Sequence, residues 1–115
     1  MEKQKLLEIE KGFWFEGADY YNKHITDNAI FVFPGMVLGK KDGVDAADQA
    51  PRWDNLNLSN EKLLKISENA IVLTYHAKGQ REGQQSYEGN ITTVYRIKNG
   101  EPKMAFHQHT PDPKS

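Results

Sequence analysis

No cysteine occurs among the 115 residues. Disulfides, thiolate zinc sites and thiol nucleophiles are therefore excluded together. An excess of charge of either sign is also missing. Fifteen Lys plus Arg stand against sixteen Asp plus Glu, a net charge of −1, which offers no footprint for nucleic acid or for an acidic membrane surface. Long apolar runs are absent as well. Nothing approaches the roughly 20 residues a membrane-spanning helix needs, and Met1-Glu2-Lys3-Gln4-Lys5 leads into a helix pattern broken by Glu8, Glu10 and Lys11, not into the apolar run of a signal peptide. A cytoplasmic protein is the expectation. The sequons Asn57-Leu58-Ser59 and Asn90-Ile91-Thr92 accordingly read as ordinary strand sequence. Hydrophobic residues make up 37% and charged residues 27%, the balance of one soluble domain with a single core.

The chain divides into a helical front and a strand-rich back. Between Glu2 and Glu16, Leu6, Ile9 and Phe13 fall on one helical stripe and Leu7 and Trp14 on its neighbour, a wide apolar face suited to lying across a sheet. Gly17 is placed to end this helix, and Asp19 to cap a short second one carrying Tyr20, Tyr21 and Ile25. Thr26-Asp27-Asn28 reads as a turn before the strand Ala29–Phe33, which Pro34-Gly35 stops. Lys40 to Gln49 is a modest helix candidate, ended near Pro51.

Beyond Pro51 the period shifts towards two. Trp53 to Ile66 holds a strand with a turn or bulge at Ser59-Asn60; Ala70 to Arg81 holds another, and Glu82-Gly83-Gln84 offers a turn. Ser86 to Lys98 follows, with Ile91, Thr93, Tyr95 and Ile97 on one face. Asn99-Gly100 is the strongest hairpin signal in the chain, because a type I′ turn needs positive φ at both positions. The last strand then pairs back antiparallel to its predecessor. Helices first and a hairpin-linked meander second predict an α+β domain, helices on one face of a mainly antiparallel sheet. It spans residues 1–112, with a frayed tail at 113–115.

Two of the four histidines, His107 and His109, lie in the final strand and share a face. They fit three chemistries: ligands, acid–base groups, or polar lining of a cavity. Metal binding lacks a third ligand in sequence, so no metal or cofactor is expected. Acid–base catalysis lacks a carboxylate on the neighbouring strands, which leaves His107 as the candidate acid or base. Lys40-Lys41-Asp42-Gly43 has neither the spacing nor the ending of a phosphate loop. Lys62, Lys65, Lys78 and Arg81 read as solvated charges on strand faces.

The Phe33-Pro34-Gly35 turn, Leu73-Thr74-Tyr75, Asn99-Gly100 and the closing Phe106-His107-Gln108-His109-Thr110-Pro111 together resemble the DUF4440 group. That group is part of the SnoaL-like families of the nuclear-transport-factor-2-like (NTF2-like) superfamily. The resemblance covers about residues 3 to 111. It departs at Pro102, where the family usually carries Trp soon after the hairpin glycine. It implies a cone, in which a curved sheet wraps around helices and encloses a pocket, and a homodimer joined through the sheet's outer face. It implies no single activity, since the fold hosts isomerases, dehydratases, cyclases and binding modules.

The expected pocket residues are Tyr20, Phe31, Phe33, Trp53, His76, Thr93, Tyr95, His107 and His109, with Tyr21 a further candidate aromatic wall. In this phase Ala105, His107 and His109 face inward and Met104, Phe106 and Gln108 outward, while His76 faces inward with Val72 and Thr74. The expected function is binding of a small hydrophobic or aromatic ligand. Ketosteroid-isomerase or polyketide-cyclase-like chemistry with His107 as acid or base is the alternative, and a structural or protein-interaction role a further one.

Overall fold

The computed structural model describes residues 2–50, 52–81 and 83–113. Two helices open the chain, α1 (Lys3–Phe15) and α2 (Ala18–His24). They are followed by β1 (Ile25–Phe33), β2 (Met36–Leu38) and α3 (Lys40–Gln49), then by β3 (Asn55–Ser67), β4 (Ala70–Gln80), β5 (Tyr87–Lys98) and β6 (Glu101–Pro111). The six strands form one sheet in the order β2-β1-β6-β5-β4-β3. Every pairing is antiparallel except β1 with β6, which is parallel. This is the expected α+β architecture, three helices against a curved, mainly antiparallel sheet. Among the described residues no helix is long and apolar enough to cross a membrane.

Curvature comes from interruptions in register. On β3 the pairing with β4 shifts between Ser59 and Lys62, where Asn60 takes φ 54°, as the sequence anticipated. A second shift falls at Val94/Tyr95 on β5, opposite β6, where Tyr95 faces Met104 and Val94 faces Phe106, leaving Ala105 as the extra residue. That bulge corrects the expected phase of the last strand. Before it Pro102 and Met104 point inward and are buried; after it His107 does. A strict alternation would have put Met104 outside. The β5–β6 turn has the predicted left-handed pair, Asn99 at φ 54° and Gly100 at φ 78°.

Three other local expectations give way to packing. Thr26-Asp27-Asn28 is not a turn; it is the start of β1, whose register against β6 shifts between Ile25 and Ile30. Asp19 is not the cap of α2, which begins after Gly17 with Asp19 in its first turn. On β4 the inward residues are Ile71, Leu73, Tyr75 and Ala77, so Val72, Thr74 and His76 face outward. Pro51, part of the turn at Glu82-Gly83-Gln84, and residues 114–115 of the expected tail lie outside the described residues.

The core fills the concave side. Leu6, Leu7, Phe13 and Trp14 of α1 meet inward residues of β1, β4, β5 and β6, among them Phe31, Leu73, Ile91 and Met104. The helix α3 approaches β1 closely because Gly43 lacks a side chain: a Cβ there would overlap the ring of Phe31. Burial of these groups, each worth roughly 1.5–3 kcal/mol, holds the helices to the sheet.

Candidate functional site

One charged residue stands in the centre of this core. Glu10 is fully buried. On α1 it occupies the middle of the stripe Leu6, Leu7, Glu10, Phe13, Trp14, which makes it part of the face that packs on the sheet. Its carboxylate is met by hydroxyls from two strands. Tyr75 donates to Oε1 at 2.5 Å and Thr93 donates to the same oxygen at 3.0 Å, while Tyr95 donates to Oε2. Trp14 Nε1 in turn donates to the Tyr75 hydroxyl at 3.1 Å. Burial pushes the Glu10 pKa up, and the three hydroxyl donors pull against that rise. Burial, and then the Glu10 charge, raise the pKa of Tyr75 and Tyr95 well above the ordinary tyrosine value, so both stay neutral donors.

From Thr93 the contacts continue outward. Thr93 and His107 are direct cross-strand partners, and Thr93 Oγ1 lies 2.8 Å from His107 Nδ1. His107 Nε2 lies 3.0 Å from His109 Nε2, and His109 Nδ1 lies 3.0 Å from the Tyr87 hydroxyl. Oxygen and nitrogen roles follow by elimination. Thr93 gives its proton to Glu10, so it accepts from His107 Nδ1–H. His107 Nε2 is then the acceptor for His109 Nε2–H, and His109 Nδ1 accepts from Tyr87. The result is a chain of single polarity running from Tyr87 to the buried carboxylate. Both imidazoles are held neutral. Burial lowers His107 well below the ordinary histidine value, helped by the neighbouring His109; burial and then the charge of Arg81 lower His109 to about 4.

The outer end of this chain opens into a cavity of about 750 Å³, within the range of small-molecule sites. Its walls come from the last turn of α1, the C-terminal half of α3, β1, β6 and the β4–β5 connection. Phe31, Phe33, Trp53, His107 and His109, all expected from the sequence, line it. So do Tyr21, a candidate aromatic wall, and Phe13, Trp14 and Tyr87, which nothing in the sequence singles out. Trp53 packs edge-on against Trp14 at 5.1 Å between centroids and rests on Gly79, where a Cβ would come within 2.8 Å. The Arg81 guanidinium lies 3.9 Å from the Trp53 centroid, so Arg81 is a wall residue and not the solvated charge expected.

Four expected pocket residues are elsewhere. Thr93 and Tyr95 stand behind the wall and hold Glu10. Tyr20 packs on Gly12 and donates to the Ile9 carbonyl at 2.9 Å. His76 is on the opposite face of the sheet, because β4 presents its odd-numbered side chains to the core. There its Nε2 faces Glu88 at 3.1 Å and Asp112 at 3.9 Å, and its Nδ1 lies 3.1 Å from Asn90. Hydrogen bonding to Glu88, then to Asn90, raises its pKa, the state of an ion-paired imidazolium. Glu10 itself was read as an interruption of the helix pattern. The available signal was its position, three and four residues from Leu6, Leu7, Phe13 and Trp14.

The described chain has the NTF2-like, cystatin-like α+β fold seen in solved structures. A candidate ketosteroid isomerase from Parabacteroides distasonis superposes with a TM-score of 0.81 at 16% identity, over 96% of this chain and 88% of the other. An NTF2-like protein from Cytophaga hutchinsonii gives 0.79 at 16% identity, over 97% and 100%. The association domain of C. elegans CaMKII gives 0.75 at 13%, over 93% and 90%. These likenesses establish the fold. No family model matches the sequence, and no curated protein matches it.

Two outcomes follow from the buried chain. Glu10→Ala strips an acceptor from three buried hydroxyls and should destabilise the protein by about 3–5 kcal/mol in urea titration, with Glu10→Gln costing less because one oxygen remains. The depressed His109 pKa means the unfolded chain takes up a proton first as pH falls. The stability His109 contributes is therefore full above about 6.5 and is lost as pH drops towards about 4. Glu10 acts in the opposite sense, since its raised pKa favours the folded state as acid is added. Thermal melts of the wild type and of His109→Gln from pH 7.5 to 4.5 separate the two, and the variant should lose less stability over that interval.

Proposed function

We propose that the cavity binds one small apolar or aromatic ligand. The observation that carries this reading is the division of labour within the site. Aromatic walls supply most of the surface, while the polar groups at one end are already ordered by their own hydrogen bonds. His107, His109 and Tyr87 are positioned before any ligand arrives, so binding need not order them. Membership of the SnoaL-like DUF4440 group belongs to the same proposal, supported by the closing His-Gln-His-Thr-Pro strand and by the fold.

An isomerase-like or cyclase-like activity is the second reading. It has one observation in its favour, the buried Glu10 carboxylate linked through Thr93 to His107, together with the likeness to the candidate ketosteroid isomerase. Against it, Glu10 does not line the cavity, and both ring nitrogens of His107 are engaged within the protein. A histidine acting as base needs a free nitrogen at the substrate. The binding reading asks for no such rearrangement.

The outer face of the sheet supports a homodimer. Register places Leu64, Val72, Val94, Phe106 and Ile30 in one row across five strands, an unbroken apolar band. Leu64 and Ile30 are 62% and 44% exposed in the single chain. Such a band on an otherwise polar sheet marks an interface, and its two-fold use buries the same patch on both copies.

Each claim has a direct check. Trp14 and Trp53 line the cavity, so a neutral aromatic such as a naphthalene derivative should alter tryptophan fluorescence saturably, and Trp53→Ala should weaken binding about tenfold or more. Lack of any saturable response up to the solubility limit would sink the binding reading. Sedimentation equilibrium should show a dimer at micromolar concentration, converted to monomer by Phe106→Arg; a monomeric wild type at 100 μM or so rules the interface out.

A further inference from the structure

Among the described residues the cavity wall carries three formal charges, and they are not equivalent. Glu16 is exposed at the end of α1. Arg52 is committed elsewhere: one Nη donates to the carbonyls of Ala47 and Ala50 at 3.2 Å each, and the other lies 3.8 Å from Asp48. Arg81 is different. Among the described residues no carboxylate pairs with it, and its Nε is the one buried side-chain nitrogen or oxygen without a hydrogen-bond partner. Its position is fixed by stacking on Trp53.

A buried donor left without an acceptor is costly, more so on a charged group. The cavity side of Arg81 adjoins Trp53 and the neutral pair Tyr87 and His109, and both His109 and Tyr21 sense the guanidinium charge. The rest of the wall is mainly aromatic and aliphatic, with Gln84, Gln85 and Ser86 adding amide and hydroxyl groups. A ligand that satisfies both halves has an apolar or aromatic body and one planar anionic end. We infer that the cavity is selective for aromatic or apolar monocarboxylates, with Arg81 as the residue that receives the carboxylate. This rests on the ligand-binding reading above and narrows it. Arginine suits the task because its two Nη groups present a planar fork matching two carboxylate oxygens, and the guanidinium is held against the Trp53 ring. Lysine, a point charge on a flexible stem, would not reproduce it.

The test uses a matched pair, 1-naphthaleneacetic acid and its neutral amide, titrated calorimetrically at pH 7.5 into wild type, Arg81→Gln, Arg81→Lys and Arg52→Gln. The expected result is at least a tenfold preference for the acid in wild type. Arg81→Gln should lose that preference while keeping its affinity for the amide within about twofold, which also shows that the variant is folded. Arg81→Lys should recover it only in part, and Arg52→Gln should retain it. Equal binding of acid and amide by wild type overturns the proposal and leaves the cavity reading intact. A preference that survives Arg81→Gln and disappears in Arg52→Gln overturns the assignment to Arg81. Binding of neither compound overturns the cavity reading and this one with it.

Discussion

The carboxylate of Glu10 is the point around which the interior is arranged. A buried ionisable group is tolerated only when its hydrogen-bonding capacity is filled, and this one draws donors from both β4 and β5. Tyr75, Thr93 and Tyr95 cannot move independently of it, nor can Trp14, which donates to Tyr75. The register of β4, β5 and β6 is thereby tied to the rotation of α1. A slip of one residue would turn these hydroxyls to the outer face and strand the carboxylate.

The same arrangement explains why the polar end of the cavity is neutral. His107 meets Thr93 because they are cross-strand partners, and His109 follows two residues later on the same face. With Glu10 as the terminal acceptor, every hydrogen bond from Tyr87 inward has one direction. Proton uptake at His107 would set its Nε2–H against the His109 Nε2–H. Burial and hydrogen-bond polarity therefore act together to keep the histidines uncharged, and among the described residues the cation that faces the cavity without a carboxylate is Arg81, at the wall rather than within the chain.

A buried network of this kind costs stability compared with an apolar core of the same shape, yet it specifies one arrangement. Here what it specifies is the placement of Tyr87, His109 and the aromatic wall. The polar network ends where the cavity begins, so the interior order serves the surface a ligand would meet.

The α+β class, the helix over Lys40–Gln49, the bulge at Asn60 and the Asn99-Gly100 hairpin were legible in the sequence, because each depends on local periodicity or on backbone conformations few residues adopt. The inward phase of β4 was not, since Ile71, Leu73, Tyr75 and Ala77 alternate with Val72, Thr74 and His76, and neither set is decisively polar. Met104 was misplaced because a bulge at Ala105 changes parity without leaving a mark in composition. Glu10 reads in sequence as a break in the helix pattern and Arg81 as a solvated charge, because their partners lie 65 to 85 residues away or, for Trp53 beneath Arg81, on a separate element. Short-range pattern in the chain was enough for the α+β class and for most of its elements. Which charges go inside was settled by tertiary packing, because the free energy of burying a charge is set by donors and walls that distant segments bring to it.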